Sequence, residues 1–462
     1  MASTRALQDD ARWWLRADAA SERTGWSASR DRKPFNALVV FTIILLLAPQ
    51  NWVPATEHLR IALLSGVYAV ACTLWECWSQ HESPNLSREI LVCFALPAWA
   101  FLTMPLSYWP GGSLNTLTTL YIKAVIVFWL LASIVTTKRR LEVLTTVLIL
   151  CTVPLAFTAI KHYVTGTYMG GTIVSRILGY DSGLTGNPND LALMLNLLLP
   201  IALALLLNAK KTSHRVLYLV IIAMDAVAVI LTFSRAGFLG LCALGLIYFT
   251  KLIRRSKRER FWAFALLLLA FCALPFLPRN YSSRIATVTD IDADSTGSSQ
   301  ERWAATVAAA QFIAAHPIVG AGIGMDVLAL NEVRGPSWRQ VHNIYFELAV
   351  DLGFPGLILF LLLFFGVFKA VWSSQKRLSD QPDLKDLFHL VEALKVSLIV
   401  FFVSGFFYPI AYHFYFYYMA GLTLATRSVT ADALAEQIGD LRAGGLQKSQ
   451  HTTPGLRTPL YG

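Results

Sequence analysis

Residues 188–208 read PNDLALMLNLLLPIALALLLN, an apolar run whose one charged residue is Asp190. A helix that crosses the hydrocarbon core of a bilayer needs about 20 mainly apolar residues, and this run has that length. It opens on Asn187, Pro188 and Asn189, which are polar or helix-starting residues at its first turn. The stretch therefore predicts a transmembrane helix that begins near Asn187.

The same pattern recurs along most of the chain. Apolar residues make up 55% and charged residues 15% of the 462 positions, a balance that a water-soluble surface does not tolerate. Runs of spanning length lie at 35–52, 60–78, 89–108, 117–136, 141–160, 216–233, 236–253, 261–278, 354–372, 391–409 and 411–427. The sequence therefore predicts an all-α polytopic membrane protein with about 12 transmembrane helices.

The basic residues predict the orientation in the membrane. Most of the 39 Lys and Arg residues fall in alternate loops, which the positive-inside rule assigns to the cytoplasm together with both termini. The net charge of +10 is then explained by topology, and nucleic-acid binding is not expected. The predicted segments are a cytoplasmic tail at 1–33, nine helices at 34–278, a large outer loop with amphipathic helices at 279–353, three helices at 354–427 and a second cytoplasmic tail at 428–462.

The large outer loop carries its own structural signals. An alanine-rich run from Glu301 to Ala315, followed by His316 and Pro317, predicts a capped helix that lies against the membrane face. The glycines of residues 320–324 (GAGIG) lack the preceding strand of a nucleotide-binding loop and predict a turn or a close backbone approach. A helix starting at His342 is expected to break at residues 353–356 (GFPG), where the next membrane span begins.

Arg235 is the residue that points most directly to a ligand. It follows Ser234 in a tight turn and opens the eighth predicted span. A cation opposes the helix dipole at this position, so an anion is expected to compensate it. Backbone N–H groups and a guanidinium suit a phosphate or diphosphate. The alternatives are contact with lipid headgroups or an ion pair with Asp225.

Polar residues collect at one side of the predicted bundle. The sixth, eighth and tenth predicted spans all begin on the outer side, where Asn187, Arg235 and the His342 segment lie. This side is a plausible reception site for a lipid-linked anion. The outer loop has no His or Cys cluster, which fits an arginine-based site, and neither a metal nor a cofactor is expected. The alternative is a cation bound by the aspartates at 290, 292 and 294.

Six short motifs, taken in their order along the chain, resemble motifs of the O-antigen ligase and O-antigen polymerase superfamily of bacterial lipid-linked glycan transferases. The matching motifs are LTGNPN at 184–189, TFSRAG at 232–237, ERW at 301–303, HPIVGAG at 316–322, HNIYFE at 342–347 and GFPG at 353–356. The resemblance implies a membrane-embedded, type C-like glycosyltransferase of the bacterial inner membrane, with its active site on the periplasmic face.

The resemblance also implies roles for individual residues. Arg235 and Arg302 match the arginines proposed to hold the diphosphate, and His342 matches the histidine proposed as base or as acceptor-positioning group. The residues expected to contact substrate are Asn187, Asn189, Ser234, Arg334, Arg339, Asn343 and Tyr345. The implied reaction inverts the configuration of the transferred sugar and needs no metal.

The implied partners are membrane lipids, an undecaprenyl diphosphate-linked glycan and an acceptor that is a saccharide or the lipid A core. The shared motifs do not separate a ligase or polymerase from a protein O-oligosaccharyltransferase. A transporter or flippase of lipid-linked glycans is the rival from another class, although the chain lacks the internal repeat typical of transporters. A non-catalytic assembly factor is a third alternative.

Overall fold

A computed structural model describes residues 32–51, 61–79, 81, 86–168, 176–177, 179–180, 184–254, 257, 260–261, 264 and 297–450, with side chains up to residue 437. The described residues are mainly helical, and they contain no β-strand beyond one isolated bridge between Tyr168 and Ile177. The predicted all-α polytopic fold is confirmed. Thirteen helices position the parts of the molecule discussed below.

Eight of these helices precede the large loop: α1 (Lys33–Leu47), α2 (Ile61–Ser79), α3 (Arg88–Thr103), α4 (Pro110–Ile134, with a π-turn at Leu117–Tyr121), α5 (Lys138–Thr165), α6 (Pro188–Asn208), α7 (Thr212–Leu231) and α8 (Arg235–Leu252). Five follow: α9 (Ser298–Ala315), α10 (Asp326–Arg334), α11 (Ile344–Leu378), α12 (Lys385–Ser404) and α13 (Phe414–Gln450).

Nine helices of the described ranges are long and apolar enough to cross a membrane. Helix α6 lies at the centre of the bundle, where it packs against α5, α7, α8 and α12. It is apolar on all sides, as a helix surrounded by other helices must be. Large apolar side chains such as Trp78, which is 72% exposed, cover the outer surface of the bundle. The predicted span at 261–278 falls almost entirely outside the described residues.

Helix α11 bends at Gly353, as the sequence predicted. Gly353 has φ 67° and ψ −175°, a conformation open essentially to glycine alone. The backbone groups released by the bend find other partners. Phe354 N donates to Pro317 O (2.8 Å), and Trp99 Nε1 donates to Leu352 O (2.9 Å). The bend therefore locks the start of α11 against α3 and the loop that follows α9.

The glycine-rich segment 320–324 makes the predicted close backbone approach. Gly320, Gly322 and Gly324 all have positive φ values. A Cβ atom at Gly320 would lie 2.5 Å from Val350 O, and one at Gly322 would lie 2.1 Å from Ser107 Oγ. The segment therefore runs in contact with α11 and with the turn that precedes α4.

Replacing Gly353 with alanine is expected to destabilise the protein. The new Cβ would lie 2.2 Å from Ile318 O, at a φ value that alanine avoids. Strain of this kind costs on the order of 1–3 kcal/mol, so Tm in detergent should fall. The matched control is Gly245→Ala in α8, where no atom lies within 4 Å of the new Cβ and Tm should hold or rise. Equal Tm values for the two variants would contradict the assignment of the bend.

The helix predicted at 301–315 is present, but its start differs from the prediction. It begins at Ser298, and its N-cap residue, Gly297, has φ 67° and provides no side-chain hydrogen bond, so the predicted side-chain cap is wrong. Its buried face packs Ala309 and Phe312 against Val350 of α11. Helices α9 and α10 thus cover one end of the bundle. We call this end the loop face: α9, α10 and the first turns of α6, α8 and α11.

Candidate active site

The first turns of α6 and α8 are joined by side-chain hydrogen bonds. Asn187 caps α6 by accepting from Asn189 N (2.9 Å), and Ser234 caps α8 by accepting from Gly237 N (3.1 Å). Ser234 Oγ also donates to Asn189 Oδ1 (2.8 Å), which ties one helix start to the other. A Cβ atom on Gly237 would lie 2.5 Å from Ala192 Cβ, so only glycine permits this approach. Two positively polarised helix ends therefore lie side by side.

Arg235 extends from this pair of helix starts to α9. Its Nη1 donates to Ser299 Oγ (2.7 Å), in the first turn of α9. Asp225, the alternative ion-pair partner considered from the sequence, is fully buried in α7 and accepts from Thr152 Oγ1 (2.9 Å). The guanidinium of Arg235 is thus directed across the loop face.

Arg302 lies one helical turn after Ser299 and within electrostatic reach of His342. Burial is the largest cause that lowers the pKa of His342 from its ordinary 6.5 to about 4, and the positive charge of Arg302 is the next. An influence of that kind requires the guanidinium and the imidazole to be close. The first turn of α9 therefore connects Arg235 on one side with His342 on the other.

The protonation of His342 follows from its one resolved hydrogen bond. Its Nδ1 lies 3.1 Å from Gln340 O. A carbonyl oxygen can only accept, so Nδ1 carries the proton and Nε2 is left as an acceptor. With the pKa lowered to about 4, the ring is neutral near pH 7. His342 can therefore accept a hydrogen bond or a proton at Nε2.

The backbone around His342 is fixed on three sides. Val341 N donates to the buried carboxylate of Asp326 (3.0 Å), and Ile344 N donates to Gly405 O (2.8 Å). Asn343 caps α11 by accepting from the N–H groups of the two residues after Ile344 (2.9 and 3.2 Å). These bonds fix the backbone that carries the imidazole, and none of them involves a ring nitrogen of His342.

Arg334 and Arg339 form the rim of the site. Arg339 makes an ion pair with Glu301 (2.9 Å), and Arg334 Nη2 donates to Arg339 O. Both arginines contribute to the lowered pKa of His342. The Arg339–Glu301 pair is about half exposed, and pairs of this kind add little stability. The contribution of the Arg339–Glu301 pair is positional, because it places the segment before His342 next to α9.

Tyr345 is not brought to this cluster. Its ring packs against Phe402 and Phe406, and its hydroxyl donates to Phe402 O (2.7 Å). The remaining expected residues meet as a group at the loop face: Asn187, Asn189, Ser234, Arg235, Arg302, Arg334, Arg339, His342 and Asn343.

Two residues of the site were missed by the sequence reasoning. Arg176 donates through Nη2 to Asn189 Oδ1 (2.7 Å), so a further guanidinium lies at the start of α6. Tyr408, in the hairpin between α12 and α13, lies beside Ser234 and within electrostatic reach of Arg176 and Arg302. Arg176 lies in the loop before α6 and could have been predicted from the sequence as a further phosphate-binding arginine. No sequence pattern pointed to Tyr408.

Buried carboxylates anchor the loop face. Asp351 accepts from Gly324 N (2.7 Å), Met325 N (3.1 Å) and the Tyr412 hydroxyl (3.0 Å). Glu347 accepts from Ala411 N (3.0 Å). In the part of the chain that the structure describes, no three His, Cys, Asp or Glu side chains are arranged to hold a metal ion. The aspartates at 290, 292 and 294 lie outside the described residues.

The amino-acid sequence around the site is similar to one known protein family. Residues 217–361 match the O-antigen ligase family, a segment that contains Arg235, Arg302 and His342. No curated protein matches the chain. The resemblance of the chain to the O-antigen ligase and polymerase superfamily is therefore confirmed over residues 217–361.

Proposed function

We propose that this multi-pass membrane protein transfers a glycan from an undecaprenyl diphosphate-linked donor to a saccharide or lipid A core acceptor. The reaction takes place on the periplasmic face of the bacterial inner membrane, with both termini in the cytoplasm. One observation carries the proposal. Arg235 bonds to Ser299 in the first turn of α9, and Arg302, one turn further on, acts electrostatically on His342, next to two helix starts.

Arg235 and Arg302 bind the diphosphate of the donor. Each guanidinium offers several N–H donors in a planar fork that matches phosphoryl oxygens. The first turns of α6 and α8 add their positive dipole ends. Together these groups stabilise the negative charge that develops on the leaving diphosphate, so the proposed reaction needs no divalent ion.

His342 acts on the acceptor hydroxyl. The hydroxyl oxygen bonds to the anomeric carbon as the bond from that carbon to the diphosphate oxygen breaks, and a single displacement inverts the configuration. The hydroxyl proton moves to His342 Nε2. Undecaprenyl diphosphate is the leaving group, and the two arginines bind its negative charge. Because the pKa of His342 is lowered to about 4, the imidazole first orients the hydroxyl and takes the proton late, once the oxygen has become acidic.

The pH dependence of glycan transfer should follow the fraction of His342 whose imidazole is neutral. The pKa of His342 is lowered from 6.5 to about 4, so the reactive neutral form persists as pH falls through 6.5. We expect kcat/KM for the donor to stay level from pH 8 to about 5 and to fall only toward pH 4. A fall centred near pH 6.5 would contradict the assignment. The control is His413→Gln, which removes another buried histidine whose pKa is lowered to about 4 and should leave the profile unchanged.

The proposed function is tested with the purified protein in lipid vesicles. A labelled undecaprenyl diphosphate-linked saccharide and candidate acceptors are supplied in the presence of EDTA. We expect release of undecaprenyl diphosphate together with labelled glycan on a saccharide or lipid A core acceptor. Label on a protein acceptor would favour an oligosaccharyltransferase. Movement of intact donor across the bilayer, driven by ATP or an ion gradient, would favour transport.

A further inference from the structure

The hairpin between α12 and α13, residues 405–413, packs against the loop face. Ile344 N donates to Gly405 O (2.8 Å) at one end of the hairpin. At the other end Ala411 N donates to Glu347, and the Tyr412 hydroxyl donates to Asp351, both over 3.0 Å. These bonds fix the hairpin to the start of α11. The side chain in its middle, Tyr408, is therefore held in a defined place.

The hydroxyl of Tyr408 is buried beside Ser234. Only 2% of the residue is exposed, and among the residues that the structure describes none completes a hydrogen bond with its Oη. Ser234 Oγ lies beside it, accepts from Gly237 N and gives its only proton to Asn189 Oδ1, so Tyr408 Oη receives no hydrogen bond from Ser234. A buried hydroxyl without a partner is unfavourable, and in native proteins such a group commonly bonds to water or an ion or has a role in the site.

The charges around Tyr408 indicate what that ligand is. Arg176 and Arg302 act on the hydroxyl from the start of α6 and from α9, and Asp190 in the first turn of α6 acts with the opposite sign. The capped start of α8 at Ser234 lies beside it. Asp190 acts more strongly than either arginine alone, but two guanidinium groups and two helix ends are positive against one carboxylate, so the surroundings of Tyr408 suit an anion.

We propose that Tyr408 Oη donates a hydrogen bond to a phosphoryl oxygen of the prenyl diphosphate, and that Tyr408 is a further binding residue of the site. The identity of the ligand rests on the proposed function. Burial raises the pKa of Tyr408 above its usual range, so the phenol stays protonated and remains a donor. It supplies a bond to the diphosphate without adding a buried charge.

The test is Tyr408→Phe, which removes the hydroxyl and keeps the ring. Undecaprenyl diphosphate is titrated into the purified protein while Tm is followed, and kcat/KM for the lipid-linked donor is measured in parallel. We expect about 10- to 100-fold weaker binding, the effect of losing a hydrogen bond to a charged group, and a similar loss in kcat/KM. Without ligand, Tm should be unchanged or higher, because an unpaired buried hydroxyl has been removed.

The matched control is Tyr417→Phe. This tyrosine of α13 is fully buried, and its hydroxyl lies 3.1 Å from that of Tyr121 in the core. The control should leave the affinity for undecaprenyl diphosphate within about twofold of the wild-type value, since an uncharged core bond contributes to folding only.

The outcomes separate this proposal from the proposed function. Tyr408→Phe with wild-type affinity and wild-type kcat/KM would overturn the role of Tyr408 while leaving glycan transfer in place. Wild-type protein that binds undecaprenyl diphosphate through Tyr408, yet transfers no glycan, would overturn the proposed function alone. Wild-type protein that gains no stability from undecaprenyl diphosphate would overturn the whole diphosphate site, and with it both the role of Tyr408 and the proposed function.

Discussion

Replacing Arg302 with alanine is expected to lower the rate of glycan transfer by about 1,000-fold, the effect of removing a principal donor to a developing anion. Arg302 is the residue that connects the two halves of the site. It stands one turn from Ser299, the partner of Arg235, and its charge acts on both His342 and Tyr408. Its loss should therefore weaken the binding of the leaving diphosphate most strongly in the transition state.

Two controls sharpen the test of Arg302. Arg302→Lys keeps the charge but loses the planar fork, so it should recover only part of the rate. Lys376→Ala makes the same change in net charge in the last turn of α11, far from the loop face, and should transfer normally. Arg302→Ala should also raise the pKa of His342, because a nearby positive charge has been removed. An Arg302→Ala enzyme with a wild-type rate would exclude Arg302 from the chemistry.

The second large effect is expected at His342. His342→Gln should lower kcat by about 100- to 10,000-fold, the contribution of a positioned general base. Glutamine retains a donor that can reach Gln340 O, which partners Nδ1 in the wild type, so the fold should persist. The binding of undecaprenyl diphosphate should change little, since the arginines and helix starts that bind it remain.

The informative result for His342 is the separation of kcat from donor binding. A variant that lost donor affinity and kcat together would show that the imidazole supports the diphosphate pocket instead of the acceptor. His413→Gln serves as the matched control, because it removes a buried histidine of the neighbouring hairpin and should leave kcat unchanged. Retained turnover in His342→Gln would remove the base from the mechanism.

Features set by local sequence were predictable. The break at Gly353, the tight turn before Arg235 and the helix that ends before His316 all follow from residue types at particular positions. Glycine accepts positive φ, and a short polar turn between two apolar runs has few conformations. The helix starts at Asn187 and Ser234 were readable for the same reason, and the helix predicted to start at His342 has its N-cap one residue later, at Asn343.

Features set by long-range packing were not predictable. Tyr408 meets Ser234 across a large separation in sequence, and Asp326 holds Val341 from a different element. A hydrophobic pattern shows which segments are helices, but it does not show which other helices each one packs against. The start of α9 was also missed, because Gly297 supplies it by backbone conformation and not by a capping side chain.

The most direct test of the central claim is an experimental structure of the protein with undecaprenyl diphosphate bound. The account predicts phosphoryl oxygens at hydrogen-bond distance, about 3 Å, from the guanidinium groups of Arg235 and Arg302, with the imidazole of His342 across the pocket. Diphosphate bound at the opposite end of the bundle, or at the loop face with neither arginine in contact, would contradict it.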